Sequence, residues 1–331
     1  MQTNNPTPKE RNENIMSDNL TVSYAPHIRK ERYISTTMRD VLISLLPATV
    51  GSVFFFGYRS LLVILTTIIA CVLSEFIWNK ACKKENTVWD LSAVVTGTLL
   101  AMTLPPSIPF YMAAAGGVFA IIIVKCFFGG IGQNIVNPAL AARAFLLASW
   151  PVAMTNWTVA GVDTISGATP LAAFKSGVIH PAPTIDLFLG TNIGGSIGEV
   201  SALLLLIGGI YLIARKVITP VIPVTYIATV GLFGFFFTKS GLCKGDFLFS
   251  ILSGGVFLGG IFMATDYTTS PLTAMGQFVY AIGAGIITGV IRVYGGYPEG
   301  VTYAILIMNV VTPLIDKVFL PKKFGKAVKA A

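Results

Sequence analysis

Residues Asp163-Thr164-Ile165-Ser166-Gly167-Ala168-Thr169-Pro170 gather three hydroxyls and a carboxylate around two of the smallest side chains. Hydroxyls can carry covalent groups, and Gly167 and Ala168 leave room for a bulky group to approach the backbone. Thr169, next to the small pair, is the natural attachment point. The same letters also make an ordinary surface loop, since Ser, Gly, Thr and Pro favour turns.

Three further polar stretches carry chemistry. Gly129-Gly130-Ile131-Gly132-Gln133-Asn134-Ile135-Val136-Asn137-Pro138 combines three glycines with three amides. Gln133, Asn134 and Asn137 each offer a donor and an acceptor, which suits a flat heteroaromatic ligand with mixed edges. The competing reading is a glycine turn whose Asn side chains cap helices. Thr265-Asp266-Tyr267-Thr268-Thr269-Ser270-Pro271 sets a carboxylate at the end of an apolar run. An ionisable residue there is costly and marks a functional candidate, or else a helix cap. Arg292-Val293-Tyr294-Gly295-Gly296-Tyr297-Pro298-Glu299-Gly300 joins a cation suited to phosphate with aromatic rings suited to stacking. An interfacial aromatic belt explains the same letters.

What must position these loops is a set of apolar segments. The 331 residues are 54% hydrophobic and only 11% charged, with mean hydropathy +0.74. Soluble domains carry about 25% charged residues. The composition therefore predicts an all-α polytopic integral membrane protein. Crossing a bilayer takes about 20 mostly apolar residues. About ten transmembrane helices are expected, near 40–57, 60–79, 90–105, 109–128, 139–154, 196–214, 219–237, 246–265, 277–294 and 299–316. Residues 1–19 read as a disordered tail, 20–39 as an interfacial cytoplasmic segment, 40–316 as the membrane domain and 317–331 as a basic tail.

Lys and Arg set the orientation. Arg29, Lys30, Arg32, Arg39, Lys80, Lys83, Lys84, Lys125, Arg143, Arg215, Lys216 and the C-terminal lysines fall on one side of this topology. Arg59, Lys175, Lys239, Lys244 and Arg292 fall on the other. Cytoplasmic loops hold the positive excess, so both termini are expected in the cytoplasm and the 155–195 loop with Thr169 outside. The 129–138 and 265–271 loops then lie inside. Two five-helix halves would be inverted, although Gly-Gly-Val-Phe, at 116–119 and 254–257, recurs in spans of the same direction. Glu75 and Asp90, flanking spans two and three, read as interfacial anchors rather than as an ion path.

Several classes are excluded. Cys71, Cys82, Cys126 and Cys243 form no C-x-x-C, and His27 and His180 are too few for a metal site. Phosphate-loop, zinc-protease and serine-elbow motifs are absent. The +8 net charge lies in short clusters between apolar runs, which fits topology rather than nucleic-acid binding.

Asp163-x-x-Ser166-Gly167-Ala168-Thr169 resembles the D-x-x-[ST]-G-A-[ST] flavinylation motif. That motif belongs to the family containing the D subunit of Rnf ion-pumping electron-transfer complexes and the B subunit of the sodium-translocating NADH:quinone reductase. Gly129-Gly130-x-Gly132-Gln133-Asn134-x-x-Asn137-Pro138-Ala139 is similar to another family stretch. Thr265-Asp266 with Ser270-Pro271 is similar to a third, although Tyr267 replaces the usual Pro. Tyr294 to Gly300 and Ala25-Pro26-His27-Ile28 also match. The likeness runs from about residue 22 to 320, and the length favours the Rnf branch.

The resemblance implies FMN joined through its phosphate to Thr169, with Asp163, Ser166, Gly167, Ala168, Arg292 and Tyr297 around it. It also implies a non-covalent riboflavin near Gln133, Asn134, Asn137 and Asp266. The implied role is an electron carrier in the plasma membrane of a prokaryote, within a ferredoxin:NAD⁺ oxidoreductase that moves Na⁺ or H⁺. Implied partners are the other Rnf proteins: RnfG with its own covalent FMN, the NAD-linked cytoplasmic RnfC, and the membrane proteins RnfA and RnfE. A flavin transferase is implied for maturation. The quinone-reductase counterpart is the alternative within the family. A secondary transporter is the alternative from another class, because glycine-rich spans with polar loops at their ends also suit a solute path.

Overall fold

A computed structural model describes residues 34–84, 86–157, 169–176, 183–191, 193–199, 201–238, 241–243, 245–297 and 299–319. The expected N-terminal tail lies outside these residues, as does the expected basic tail from residue 320 on, while Lys317 and Val318 close the last helix. Among the described residues the regular elements are helices, apart from a two-residue antiparallel ladder, Phe237–Thr238 with Gly241–Leu242.

Four helices are long and apolar enough to cross a membrane: α1 (Ile34–Phe56), α2 (Tyr58–Ala81), α12 (Ala274–Tyr294) and α13 (Val301–Val318). Five more are apolar but shorter: α3 (Ser92–Met102), α4 (Phe110–Cys126), α5 (Pro138–Ser149), α8 (Ala202–Ala214) and α9 (Val221–Phe236). Two six-residue helices, α6 (Pro170–Lys175) and α7 (Thr184–Leu189), lie between α5 and α8. Each of the ten apolar stretches carries helix, but the expected eighth is broken. It consists of α10 (Phe247–Leu252) and α11 (Val256–Leu258), the latter continuing as a π-helical turn over Gly259–Met263. α1 begins at Ile34, so it takes in the last residues of the expected interfacial segment.

Short helices leave backbone to be satisfied. At about 1.5 Å per residue α3 is roughly 16 Å long, about half a hydrocarbon core. Beyond its end, Met102 O and Leu104 O accept from the N–H groups of Gly198 (2.8 Å) and Ile197 (3.0 Å). Irregular backbone at depth survives when other protein groups satisfy it. The break after α10 is met by a side chain instead. Arg292, near the end of α12, donates from Nη1 to Ser250 O (2.7 Å) and from Nη2 to Ser253 O (2.8 Å).

Small residues set the helix contacts, as expected where lipid gives no hydrophobic drive to association. α8 crosses α1 at Gly208, where an added Cβ would stand 2.1 Å from Ser44 O. α3 meets α2 at Gly97, where a Cβ would stand 2.8 Å from Ile68 Cα. Backbone cannot yield as a side chain tip can. Gly208→Val is therefore expected to force α8 off α1 and to lower stability by about 1–3 kcal/mol or more. Thermal unfolding of the purified chain in detergent, compared with Ala214→Val on the same helix, checks this.

Candidate functional site

Two polar centres lie within this helical frame, and α5 touches both. The first surrounds Thr169. Pro170 occupies the first turn of α6, where its missing N–H costs nothing, and Thr169 is the N-cap. Its Oγ1 accepts from Ala172 N at 3.1 Å, and the residue is only 4% exposed. At the other end of α6, Lys175 Nζ donates to Tyr297 O (2.7 Å) and Ile291 O (3.4 Å). The Thr169 segment is thus fastened to the 292–300 loop. Tyr297 itself is exposed, with its ring centroid 5.7 Å from that of Tyr303.

Thr169 opens onto a narrow cleft lined also by Leu187, Gly194, Gly195, Glu199, Gly254 and Glu299. Gly254 has φ +66, and a Cβ there would stand 3.0 Å from Arg292 Nη2. Arg292 is therefore beside the cleft, but both terminal nitrogens are spent on carbonyls and only Nε is uncommitted. Among the described residues, six buried side-chain polar atoms have no partner. Four of them are Ser196 Oγ, Glu199 Oε2, Ser253 Oγ and Arg292 Nε. All four belong to residues that line the cleft or adjoin it. Buried polar atoms are nearly always bonded, so this concentration fits a polar group that belongs between them. Asp163, Ser166, Gly167 and Ala168 lie outside the described residues.

Below the cleft is a buried ion cluster that sequence reasoning missed. Arg143, on α5, donates from Nη1 to Glu199 Oε1 (2.8 Å) and from Nη2 to Glu299 Oε2. The three side chains are 8%, 4% and 14% exposed. Arg143 therefore does not sit at a cytoplasmic helix end, where the charge count had placed it. Its carboxylate partners belong to segments expected on the opposite side. An arginine in the middle of an apolar helix was the available signal, because such a charge needs a buried partner.

Lys125 is buried and paired as well, here with partners from segments expected on its own side. Its Nζ donates to Glu75 Oε1 (2.8 Å) and Ser92 Oγ (2.6 Å), and both ions are buried. Glu75 also accepts from Thr87 Oγ1 at 2.7 Å. Glu75 is thus a buried ion-pair partner and not an interfacial anchor.

The second centre forms where the 129–138 and 265–271 loops meet. Each loop follows a π-helical segment, Phe119–Cys126 and Gly259–Met263. Such distortions are frequent at functional sites. Asn137 caps α5, its Oδ1 accepting from Ala139 N (3.0 Å) and Leu140 N (3.3 Å). Its Nδ2 donates to Met263 O at 3.2 Å, tying the first loop to the π-helical turn that leads into the second. The Asn134 amide faces the Asp266 carboxylate. Burial lifts the Asp266 pKa, against the Thr268 N–H, the Thr269 hydroxyl and Asn134, which favour the ionised form.

Gln133 is not part of this meeting. It is exposed and folds over Gly129, whose φ of +119 leaves no room for a side chain. In its place α13 supplies Asn309 and Thr312. With its amide oriented to satisfy both ends, Asn309 donates to Tyr280 Oη (2.7 Å) and Ile305 O (3.1 Å) and accepts from Asn137 N (3.1 Å). Thr312 Oγ1 donates to Thr269 O at 2.9 Å. An asparagine inside an apolar helix was again the signal that could have found it.

The arrangement provides a polar cleft with a hydroxyl and a second polar centre built of amides and a carboxylate, with one helix between. Among the described residues no group of acidic, His and Cys side chains could hold a metal. Residues 21–325 match the model of the NQR2, RnfD, RnfE family. The chain is 50% identical over 310 residues to the D subunit of the Na⁺-translocating ferredoxin:NAD⁺ oxidoreductase complex of Acetobacterium woodii, covering 93% of this chain and 96% of that one. It is 47% identical over 328 residues to the D subunit of the proton-translocating ferredoxin:NAD⁺ oxidoreductase complex of Clostridium ljungdahlii, covering 94% and 98%. It is 32% identical over 347 residues to the D subunit of the ion-translocating oxidoreductase complex of Escherichia coli K12, covering 92% and 98%. The chain belongs to the NQR2, RnfD, RnfE family.

Proposed function

We propose that this chain is the D-type membrane subunit of an ion-translocating ferredoxin:NAD⁺ oxidoreductase of the Rnf kind. In this reading it carries electrons across the membrane between an FMN esterified to Thr169 and a riboflavin at the second centre. It has ten spans, cytoplasmic termini and an outward Thr169. It works with the covalent-FMN, NAD-linked and membrane subunits of the complex, after a flavin transferase has loaded Thr169. The coupled cation is Na⁺ or H⁺, since the two relatives nearest half identity are named for different ions.

The observation that carries the reading is the Thr169 cleft, where a hydroxyl in the flavinylation pattern stands among four unmatched buried polar atoms. Ser196, Ser253 and Arg292 Nε offer donors suited to phosphate and ribityl oxygens. Arg143 offsets charge on Glu199 and Glu299, which would otherwise repel a phosphate. Asn137 and Asn309 brace the second centre through internal hydrogen bonds, and Asn134 and Asp266 are the amide and carboxylate that would meet a heteroaromatic edge. A bound flavin supplies the electron-carrying chemistry, and the chain supplies position, charge and exclusion of water.

The test is to co-express the chain with a flavin transferase and run it on a denaturing gel under ultraviolet light. A fluorescent band is expected, with an FMN-sized mass increase on the peptide containing Thr169. A dark band, beside a control protein that the same transferase flavinylates, would sink the reading.

A further inference from the structure

Glu199 and Glu299 share one guanidinium, and their geometry leaves an oxygen unaccounted for. Glu199 Oε1 and Glu299 Oε2 take the two terminal nitrogens of Arg143. Glu199 Oε2 is buried and has no donor among the described residues. Sharing one guanidinium holds the two carboxyls side by side, close enough for Glu199 to favour a proton on Glu299. Two ionised carboxylates cannot bond to each other. With a proton between them they can, as in other buried carboxyl pairs.

The remaining charged or titratable groups around the pair do not remove the need for that proton. Arg143, from α5, is shared between both carboxylates. Arg292, from α12, attracts them but spends its terminal nitrogens on Ser250 O and Ser253 O. Tyr226, from α9, bonds to Thr288 (3.0 Å), and Tyr303, from α13, lies toward Arg143.

We propose that Glu199 and Glu299 hold one proton between them, forming a proton-binding site at the floor of the Thr169 cleft. Burial first, and the neighbouring Glu199 second, push the Glu299 pKa up to about 7, against the pull of Arg143 and Arg292. Glu299 therefore takes up and gives back this proton near neutrality. What it serves rests on the flavin reading above. A negative charge entering the cleft strengthens the pair's hold on its proton, and its departure weakens it. One proton from water then joins a carboxylate as one electron arrives from the complex's reduced flavoprotein donor, and leaves as the electron moves on. The only bond made or broken in the chain is O–H.

Infrared spectroscopy of the full chain in lipid nanodiscs, titrated with pH, tests the site without needing activity. The Thr169→Ala chain, which has no acceptor hydroxyl, is expected to show a protonated-carboxyl stretch that fades as pH rises through about 7. The stretch should shift when glutamate alone is carboxyl-labelled, which separates it from Asp266. It should vanish in Glu199→Gln and in Glu299→Gln, and persist in Glu75→Gln. A stretch that ignores the glutamate label, or survives both substitutions, overturns the proposal, as does its absence on the acid side of neutrality. If either Gln variant fails to fold, the label experiment on the Thr169→Ala chain still decides. In the flavin-loaded chain, reduction is expected to move the fading to higher pH. A chain that carries no flavin would defeat the functional reading while leaving the infrared result intact.

Discussion

Arg143→Ala is expected to leave little folded protein. The substitution strands two largely buried carboxylates, Glu199 and Glu299, with their shared counter-charge gone. Removing one partner of a buried ion pair costs about 3–5 kcal/mol, a large share of the stability of any domain. Arg143→Lys should fare only slightly better, because an ammonium is a point charge and cannot reach two carboxylates as a planar fork does. The control is chemical. Arg143→Met combined with Glu199→Gln and Glu299→Gln removes every ionisable side chain of the cluster, and should recover much of the monodisperse yield. Size-exclusion profiles and thermal unfolding of the three variants measure this. Recovery in the triple variant would assign the loss to stranded charge rather than to lost arginine packing.

Thr169→Ala is expected to abolish covalent flavin while leaving the fold nearly intact. The side chain caps a six-residue helix through one 3.1 Å bond, so structure should cost no more than about 1 kcal/mol. The chemical effect is all or none, because alanine has no oxygen to esterify. Thr169→Ser keeps both the cap and the hydroxyl, and should retain fluorescence, in contrast to the dark Ala band. Thr164→Ala should stay bright. A bright Thr169→Ala band would move the attachment elsewhere in the chain. Normal unfolding with a dark band would separate chemistry from structure in one comparison.

The helices could be read from the chain because apolar runs of membrane length leave little choice. Each of the ten predicted stretches carries helix, and the junction of the 129–138 and 265–271 loops follows from two polar ends abutting. What escaped was what happens inside the helices. The break at Ser253-Gly254-Gly255 looks apolar enough to continue, and it is Arg292, far along the chain, that takes the Ser250 and Ser253 carbonyls. Arg143 and Lys125 were counted as surface charge because local sequence does not reveal a carboxylate 56 or 50 residues away. Gln133 looked equal to Asn134, yet Gly129 lets it fold outward. For the break and for the two cations the deciding partner was distant in sequence, whereas Gly129 stands only four residues before Gln133.

α5 carries a consequence for how this sequence can change over time. Asn137, at its start, fastens the second centre, and Arg143, six positions on, holds the carboxylates under Thr169. About 9 Å of helix separates the two Cα atoms. Substitutions of similar size can drift through the intervening Pro138-Ala139-Leu140-Ala141-Ala142. A single inserted or deleted residue cannot, because it turns one end by about 100° against the other. Length between these two positions is thus inherited more strictly than letters, and descendants that lengthen this chain must do so elsewhere.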